Sequence, residues 1–342
     1  MTASPRIAWT LAGAALALLV SAPLWIANSF YINVASQILF WAIFAQALNI
    51  LVGYAGLTSL GHAALFAVSG YTAGILLQAG YSQLIAAAAA VCASVLTSVV
   101  FAVLALRATG IGFLMITLAL GQIVWGIAYR WVSLTNGDNG VNLQSRPAPF
   151  DIDLTTPSAF YWMTLIVFLL NVLLMAFFVR SPFGATVRGT RDQPRRMNAL
   201  GYNVWLIRLL AFVFSGFWTG VAGLLFVYYN QFISPQIAGI QTSAEALLMV
   251  ISGGSASVLG PIAGAAIVVI MKNVVSAYIE RWNLVLGVIF VLIVSFMPDG
   301  LIPGTMRLTR RLLQARRKQQ AYANPPAASI PASASHSTGG TS

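Results

Sequence analysis

The sequence predicts an all-α, polytopic membrane protein of about ten spans (eight to ten). Three observations predict it. Of the 342 residues, 59% are hydrophobic and only 7% charged. The apolar stretches reach about 20 residues, the length that crosses a hydrocarbon core. Basic residues gather in alternate gaps between those stretches, as cytoplasmic loops do. Soluble domains carry about 25% charged residues, and a mean hydropathy of +0.84 leaves more apolar surface than a soluble core could bury. In lipid the backbone must be satisfied within helices or a closed barrel. Barrel strands run about 10 residues with alternating faces; these runs do not alternate, so helices are expected.

In chain order the apolar segments fall at roughly 8–27, 31–52, 63–79, 84–106, 111–131, 159–179, 207–230, 244–254, 258–278 and 284–302. The first, within residues 1–30, reads as a retained span: its run is longer than a signal core and leads directly into another span. The segment at 244–254 is short and runs into Gly253-Gly254. It predicts a broken or re-entrant helix and leaves the count open by one or two.

On a ten-span arrangement, 14 of the 18 basic residues share one side: Arg6, Arg107, the group from Arg180 to Arg208, and the cluster from Arg307 to Lys318. That side is read as the cytoplasm, with both termini inside. The opposite side carries the loop 132–158 with Asp138, Arg146, Asp151 and Asp153. The net charge of +11 therefore reads as topology bias and not as nucleic-acid binding. Residues 306–342 read as a basic helix followed by a Pro/Ser/Ala-rich tail whose composition predicts disorder. The single cysteine, Cys92, lies in an apolar run and reads as a buried, inert thiol.

The main internal loop spans 180–206. Ser181-Pro182-Phe183-Gly184 ends the preceding helix with proline and glycine. Asp192 is a candidate N-cap, Pro194 suits a first turn, and Leu200-Gly201 suits a helix stop. The pattern predicts one short basic helix lying parallel to the membrane surface. Its charge alone allows two readings, a topology anchor touching water and headgroups or a lever seated on a cytosolic partner.

Two glycine-rich elbows interrupt the spans. In the first, Gly53, Gly56 and Gly61 accompany Thr58 and Ser59. Irregular backbone at membrane depth is tolerated only where protein buries it or it lines a watery cavity. Asn49, Gly53, Tyr54, Gly56, Ser59, Gly61 and His62 are therefore candidates for a translocation path, with close packing through small residues as the alternative. A lone histidine at a span end, such as His62, is more often a hydrogen-bonded structural residue than a pH sensor or ligand. His336 lies far off in the tail and Cys92 has no matching spacing, so no metal site is expected.

The second elbow runs from Glu245 through Gly253-Gly254 to Leu259-Gly260-Pro261. The Leu-Gly pairs at 60–61 and 259–260 hint at an internal repeat of open orientation. Glu245 is the one carboxylate placed in a span. Burying it costs about 2.5–3.5 kcal/mol on insertion scales, so it needs a partner or water. It reads either as a structural pair or as a gate or substrate contact, with Gly253 and Gly254 beside it as path candidates.

Several of these stretches carry a family resemblance. Leu48 to Ala63 reads Leu-Asn-x-x-x-Gly-Tyr-x-Gly-x-x-Ser-x-Gly-x-Ala. With the loop and helix at 184–216, the stretch Glu245 to Gly264, and the external Leu134 to Val141, it resembles branched-chain amino acid ABC permeases of the LivM-like family over about residues 30–305. The resemblance implies a heteromer of two related permeases, two ATPase subunits and a periplasmic binding protein docking near 132–158. It implies that Arg188, Arg191, Asp192, Arg195, Arg196, Ala199, Leu200 and Gly201 form the ATPase-coupling loop, and that leucine, isoleucine and valine are the cargo. Two departures stand out: Pro194, Arg196 and Met197 replace an acidic residue and small alanines, and Asn136 replaces a glycine.

No Gly-x-x-x-x-Gly-Lys-Ser/Thr phosphate loop occurs, so ATP hydrolysis is expected on other chains. No Ser-His-Asp set, carboxylate pair or metal cluster suggests an enzyme, and no cofactor is expected. Rival readings keep the architecture but import urea, short amides or aromatic acids, or make the chain an ATP-independent secondary transporter or channel. Few ionisable residues inside the spans argue against proton coupling.

Overall fold

The computed structural model describes residues 28–143 and 154–278, with isolated positions between 284 and 300. Helix α1 is Ser29–Asn49 and continues as a π-helical turn, Ile50–Ala55. It is followed by α2 (His62–Gln78), α3 (Gln83–Ala105), α4 (Ile111–Arg130) and α5 (Pro157–Arg180). Then come α6 (Pro182–Asp192), α7 (Pro194–Ala199), α8 (Val204–Asn230), α9 (Ile240–Gly253) and α10 (Gly260–Val274). Five of these are long and apolar enough to cross a membrane: α1 with its π turn, α3, α4, α5 and α8. The expected span at 8–27, the loop residues 144–153, most of 284–302 and the tail from 306 lie outside the described residues.

Helix α1 is the central post. It is apolar on all sides, and a helix hydrophobic all round belongs in an interior. Its most apolar stretch is 89% buried, against 22–28% for α3, α4 and α5. Those three turn Leu96, Met115, Ile123, Leu170 and Phe177 outward, a rim suited to lipid. Helix α3 packs on α8 through small side chains. Ser94 and Ser98 fill the space a Cβ would take at Gly220 and Gly216, and Ser94 Oγ donates to the Gly216 carbonyl at 2.9 Å. This is the small-residue crossing typical of membrane helices. It also corrects the expectation for Cys92. The buried face of α3 runs through Ala86, Ala90, Ser94 and Ser98, and Cys92 sits off that stripe, exposed.

A two-residue antiparallel ribbon joins Val141 to Ile233 and Asn142 to Phe232, so α4 and α8 end on the same side. Gln78 Nε2 donates to the Asn142 carbonyl at 2.8 Å and adds the end of α2. Asn136, in the position the family resemblance gives to glycine, holds a left-handed backbone at φ +61°, a conformation asparagine tolerates better than most residues.

The opposite end carries the internal loop, and here the sequence expectation needs correcting. The loop holds two helices, α6 and α7, not one. Ser181 caps α6, its Oγ accepting from the Gly184 amide at 3.0 Å, with Pro182 in the first turn. The helix therefore starts at Pro182, and Asp192 is its last residue, not the cap of the next. Pro194 cannot continue it and forces Gln193 out of helical geometry, at φ −145° and ψ 73°. Helix α7 ends at Ala199, and Gly201 turns the chain at φ +86°.

Candidate functional site

The first elbow leaves α1 through the π turn, reverses at Gly56 (φ +69°) and re-enters α2 at His62. Its neighbours reach it from four directions. Thr117 Oγ1 of α4 accepts from the Leu60 amide at 3.2 Å. Ser243 Oγ of α9 accepts from the Ala63 amide at 3.2 Å. His62, fully buried, lies 3.0 Å from Ser59 Oγ through Nδ1 and 2.9 Å from Ser215 Oγ through Nε2. Ser215 donates onward to the Ala47 carbonyl at 2.5 Å. The Ser215 proton is thereby committed, so Nε2–H donates to Ser215 and Nδ1 accepts from Ser59. Both ring nitrogens are used, as a structural histidine requires.

The fourth contact comes from the internal loop. The Arg191 guanidinium donates to the Gly53 carbonyl. Gly56 makes room for it: a Cβ there would sit 2.7 Å from Arg191 Cγ. Arg208 Nη2 of α8 donates to the Thr190 carbonyl at 2.6 Å and fixes the same turn of α6. The rest of the predicted loop set faces outward. Asp192, Arg195, Arg196, Ala199 and Leu200 are exposed, and α7 buries no residue. Arg188 is half-buried.

The second elbow, Gly254 to Leu259, lies against the first. Asn49 Nδ2 donates to the Ser257 carbonyl at 2.9 Å, and Asn49 Oδ1 accepts from the Ala256 amide at 3.1 Å. Gln46, one turn earlier on α1, donates to the Val258 carbonyl at 3.0 Å. Two side-chain amides thus satisfy irregular backbone that no helix serves. Gly53 permits the approach, since a Cβ there would collide with Asn49 Oδ1 and the Ala256 amide. Gly253 does the same between α9 and α10, where a Cβ would collide with the Gly260 carbonyl. Of the other predicted path residues, Tyr54, Ser59 and Gly61 are buried in this junction. These candidates therefore meet in one joint, from which Gly56 remains exposed.

Glu245 lies apart from it, beside a cavity of about 410 Å³ between α1, the end of α8, α9 and α10. Its Oε2 is 3.5 Å from Lys272 Nζ and its Oε1 3.4 Å from Gln241 Nε2. Asn273 Nδ2 donates to Gln37 Oε1 at 2.9 Å, and Gln37 Nε2 donates to Tyr229 Oη at 2.9 Å. Phe40, Trp41 and Phe226 form the apolar wall. Sequence reasoning passed over Gln37, Gln46, Lys272 and Asn273. The available signal was polar residues inside otherwise apolar helices, which are costly and so carry a role.

The sequence profile of the family described as branched-chain amino acid transport system / permease component matches residues 30–294. The chain is 27% identical over 318 residues to the high-affinity branched-chain amino acid transport system permease protein LivM of Salmonella typhimurium, covering 85% of this chain and 74% of that one. It is 29% identical over 185 residues to the corresponding LivH of Escherichia coli, covering 51% and 59%. It is also 27% identical over 273 residues to the autoinducer 2 import system permease protein LsrC of Escherichia coli O157:H7, covering 76% and 75%. No solved structure matches the chain.

Proposed function

The chain belongs to the branched-chain amino acid transport system permease family, and from that premise we propose that it is the membrane subunit of an ATP-driven importer for leucine, isoleucine and valine. Its partners are a second, related permease, two ATPase subunits and a periplasmic binding protein. Likeness to both LivM and LivH supports the paired permeases. The protein sits in the bacterial inner membrane with about ten spans and both termini in the cytoplasm. Five described helices are long and apolar enough to cross, which supports a multi-pass chain. The two Leu-Gly elbows, each opening a helix, support an internal repeat.

One observation carries the mechanism. Helix α7 offers an exposed surface, while Arg191 on the adjoining α6 is bonded to Gly53 inside the membrane elbow. Closure of the ATPases would push α6 and α7, and the push would reach the elbow through a side chain already attached to it. Deleting residues 190–200 tests this. ATPase subunits co-purify with the intact complex and are lost from the deletion. Retention of the ATPases by the deletion variant, or leucine accumulation with no ATPase present, would overturn the reading. The likeness to LsrC favours a second cargo class. Uptake of labelled leucine, challenged by excess valine and by excess autoinducer 2 or urea, separates the two.

A further inference from the structure

We propose that the cavity between α1, α9 and α10 is a transit site for a zwitterionic amino acid. Glu245 receives the α-ammonium, Lys272 the α-carboxylate, and Trp41 with Phe40 and Phe226 the aliphatic side chain. The assignment rests on the amino-acid reading above and adds the residues that make the contact.

The pair is built to be opened. At 3.5 Å it is longer than the roughly 2.7–2.9 Å of a charge-assisted hydrogen bond. The Glu245 side chain is 9% exposed and that of Lys272 is 45% exposed, so the ammonium reaches into the cavity while the carboxylate forms its wall. The cost falls on Glu245, whose nearly buried carboxylate needs a partner, whereas the half-exposed Lys272 keeps much of its hydration. The pair also selects by chemistry. A zwitterion brings one charge for each partner. A simple anion engages only Lys272 and a simple cation only Glu245, and a neutral solute gains nothing from either.

The surroundings suit the rest of the molecule. The first turn of α9 supplies Gln241 and Thr242 to the cavity, a helix end that favours negative charge. Trp41, stacked on Phe66 and with Lys272 Nζ 5.9 Å from its ring centroid, lines the apolar side of the cavity. The volume of about 410 Å³ falls at the low end of the roughly 300–1,000 Å³ of small-molecule sites. The cavity lies at the ribbon end of the bundle, between the last turn of α8, the first turn of α9 and the last turn of α10.

The test is equilibrium binding of tritiated leucine to the permease–ATPase complex in lipid nanodiscs, with the binding protein left out. The competitors are 2-hydroxy-4-methylpentanoate, which lacks the ammonium, and leucinamide, which lacks the carboxylate. Each is expected to compete about tenfold less well than leucine, or about 1.4 kcal/mol. Glu245→Gln abolishes the penalty on the hydroxy acid, and Lys272→Gln the penalty on the amide. The wild-type series decides the matter even where a variant fails to assemble. Equal competition by either analogue, or no saturable binding at millimolar leucine, overturns the site. Leucine uptake by the complete importer in the same preparation keeps the two readings apart. Uptake without analogue discrimination removes only this site, whereas absence of uptake removes the cargo assignment as well.

Discussion

The two glycine elbows are built from similar sequence and held in different ways. The first, from the π turn to Gly61, is gripped by side chains of α4, α6, α8 and α9: Thr117, Arg191, Ser215 through His62, and Ser243. The second, Gly254 to Leu259, is held by Gln46 and Asn49 of α1 and by its own Ser257, whose Oγ accepts from the Gly260 amide at 2.9 Å. Among the described residues, no side chain of α6 or α7 hydrogen-bonds to it. The asymmetry gives the joint a direction. A displacement entering at α6 meets the first elbow directly, through Gly53, and reaches the second from there, through Asn49 and the close approach of Gly53 to the Ala256 amide. The first elbow is the receiver and the second the follower.

Cutting the joint between them should have the largest effect. Asn49→Leu keeps the volume but leaves the Ala256 amide and the Ser257 carbonyl unpaired. Both groups are only part-buried, so the loss should stay near the low end of the roughly 1–3 kcal/mol of an orphaned group, about 2 kcal/mol for the two. Gln46→Leu orphans only the Val258 carbonyl and should cost about half as much. Thermal inactivation of the purified complex reads both. Equal melting of the Asn49 variant and the wild type would mean that water or lipid serves the second elbow, and that the two elbows are not one joint.

A smaller change should separate holding from driving. Arg191→Lys keeps the charge and removes the planar fork that reaches Gly53. A hydrogen bond to a charged group is worth about 1.5–3 kcal/mol, and the 43% exposure of Arg191 lowers that toward about 1 kcal/mol. Uptake is expected to fall about five- to tenfold while ATP hydrolysis by the complex persists. A matched fall in both activities would indicate that Arg191 supports assembly and transmits nothing.

Much of this was legible in the sequence, and the rest was hidden for definable reasons. The helices at 62–78, 83–105, 111–130, 157–180 and 204–230 followed from apolar length alone, since lipid permits little else. The elbows were visible because Gly53, Gly56, Gly253 and Gly254 break helical runs. Their meeting was not visible, because Asn49 and Ala256 are 207 residues apart and no local pattern encodes a bond of that range. The internal loop was misread at Asp192. Aspartate two residues before a proline looks like a cap, but the helix begun at Ser181-Pro182 runs through Asp192, and the next starts at Pro194 with Gln193 in the cap position. Glu245 was recognised by its cost, whereas nothing local marks Lys272 as its partner, 27 positions further along the chain.

The smallest effect belongs to Asp192, and its smallness makes it useful. It meets Arg191 at 3.9 Å with side-chain exposures of 43% and 73%. An open pair of that kind contributes about 0–1 kcal/mol and is screened by salt. Asp192→Asn should therefore leave the melting of the permease unchanged within about 0.5 kcal/mol. Arg195 and Arg196, exposed on α7, have no hydrogen bond or ion pair to the other described residues. Their replacement by glutamine should be equally silent in the permease alone. Any change these variants cause in ATPase affinity then arises at the interface, and it should shrink as salt rises. Binding unaltered by all three at low salt would move the docking contact off α7 and the end of α6. The first elbow would keep its grip on Arg191 and lose its claim to receive the push.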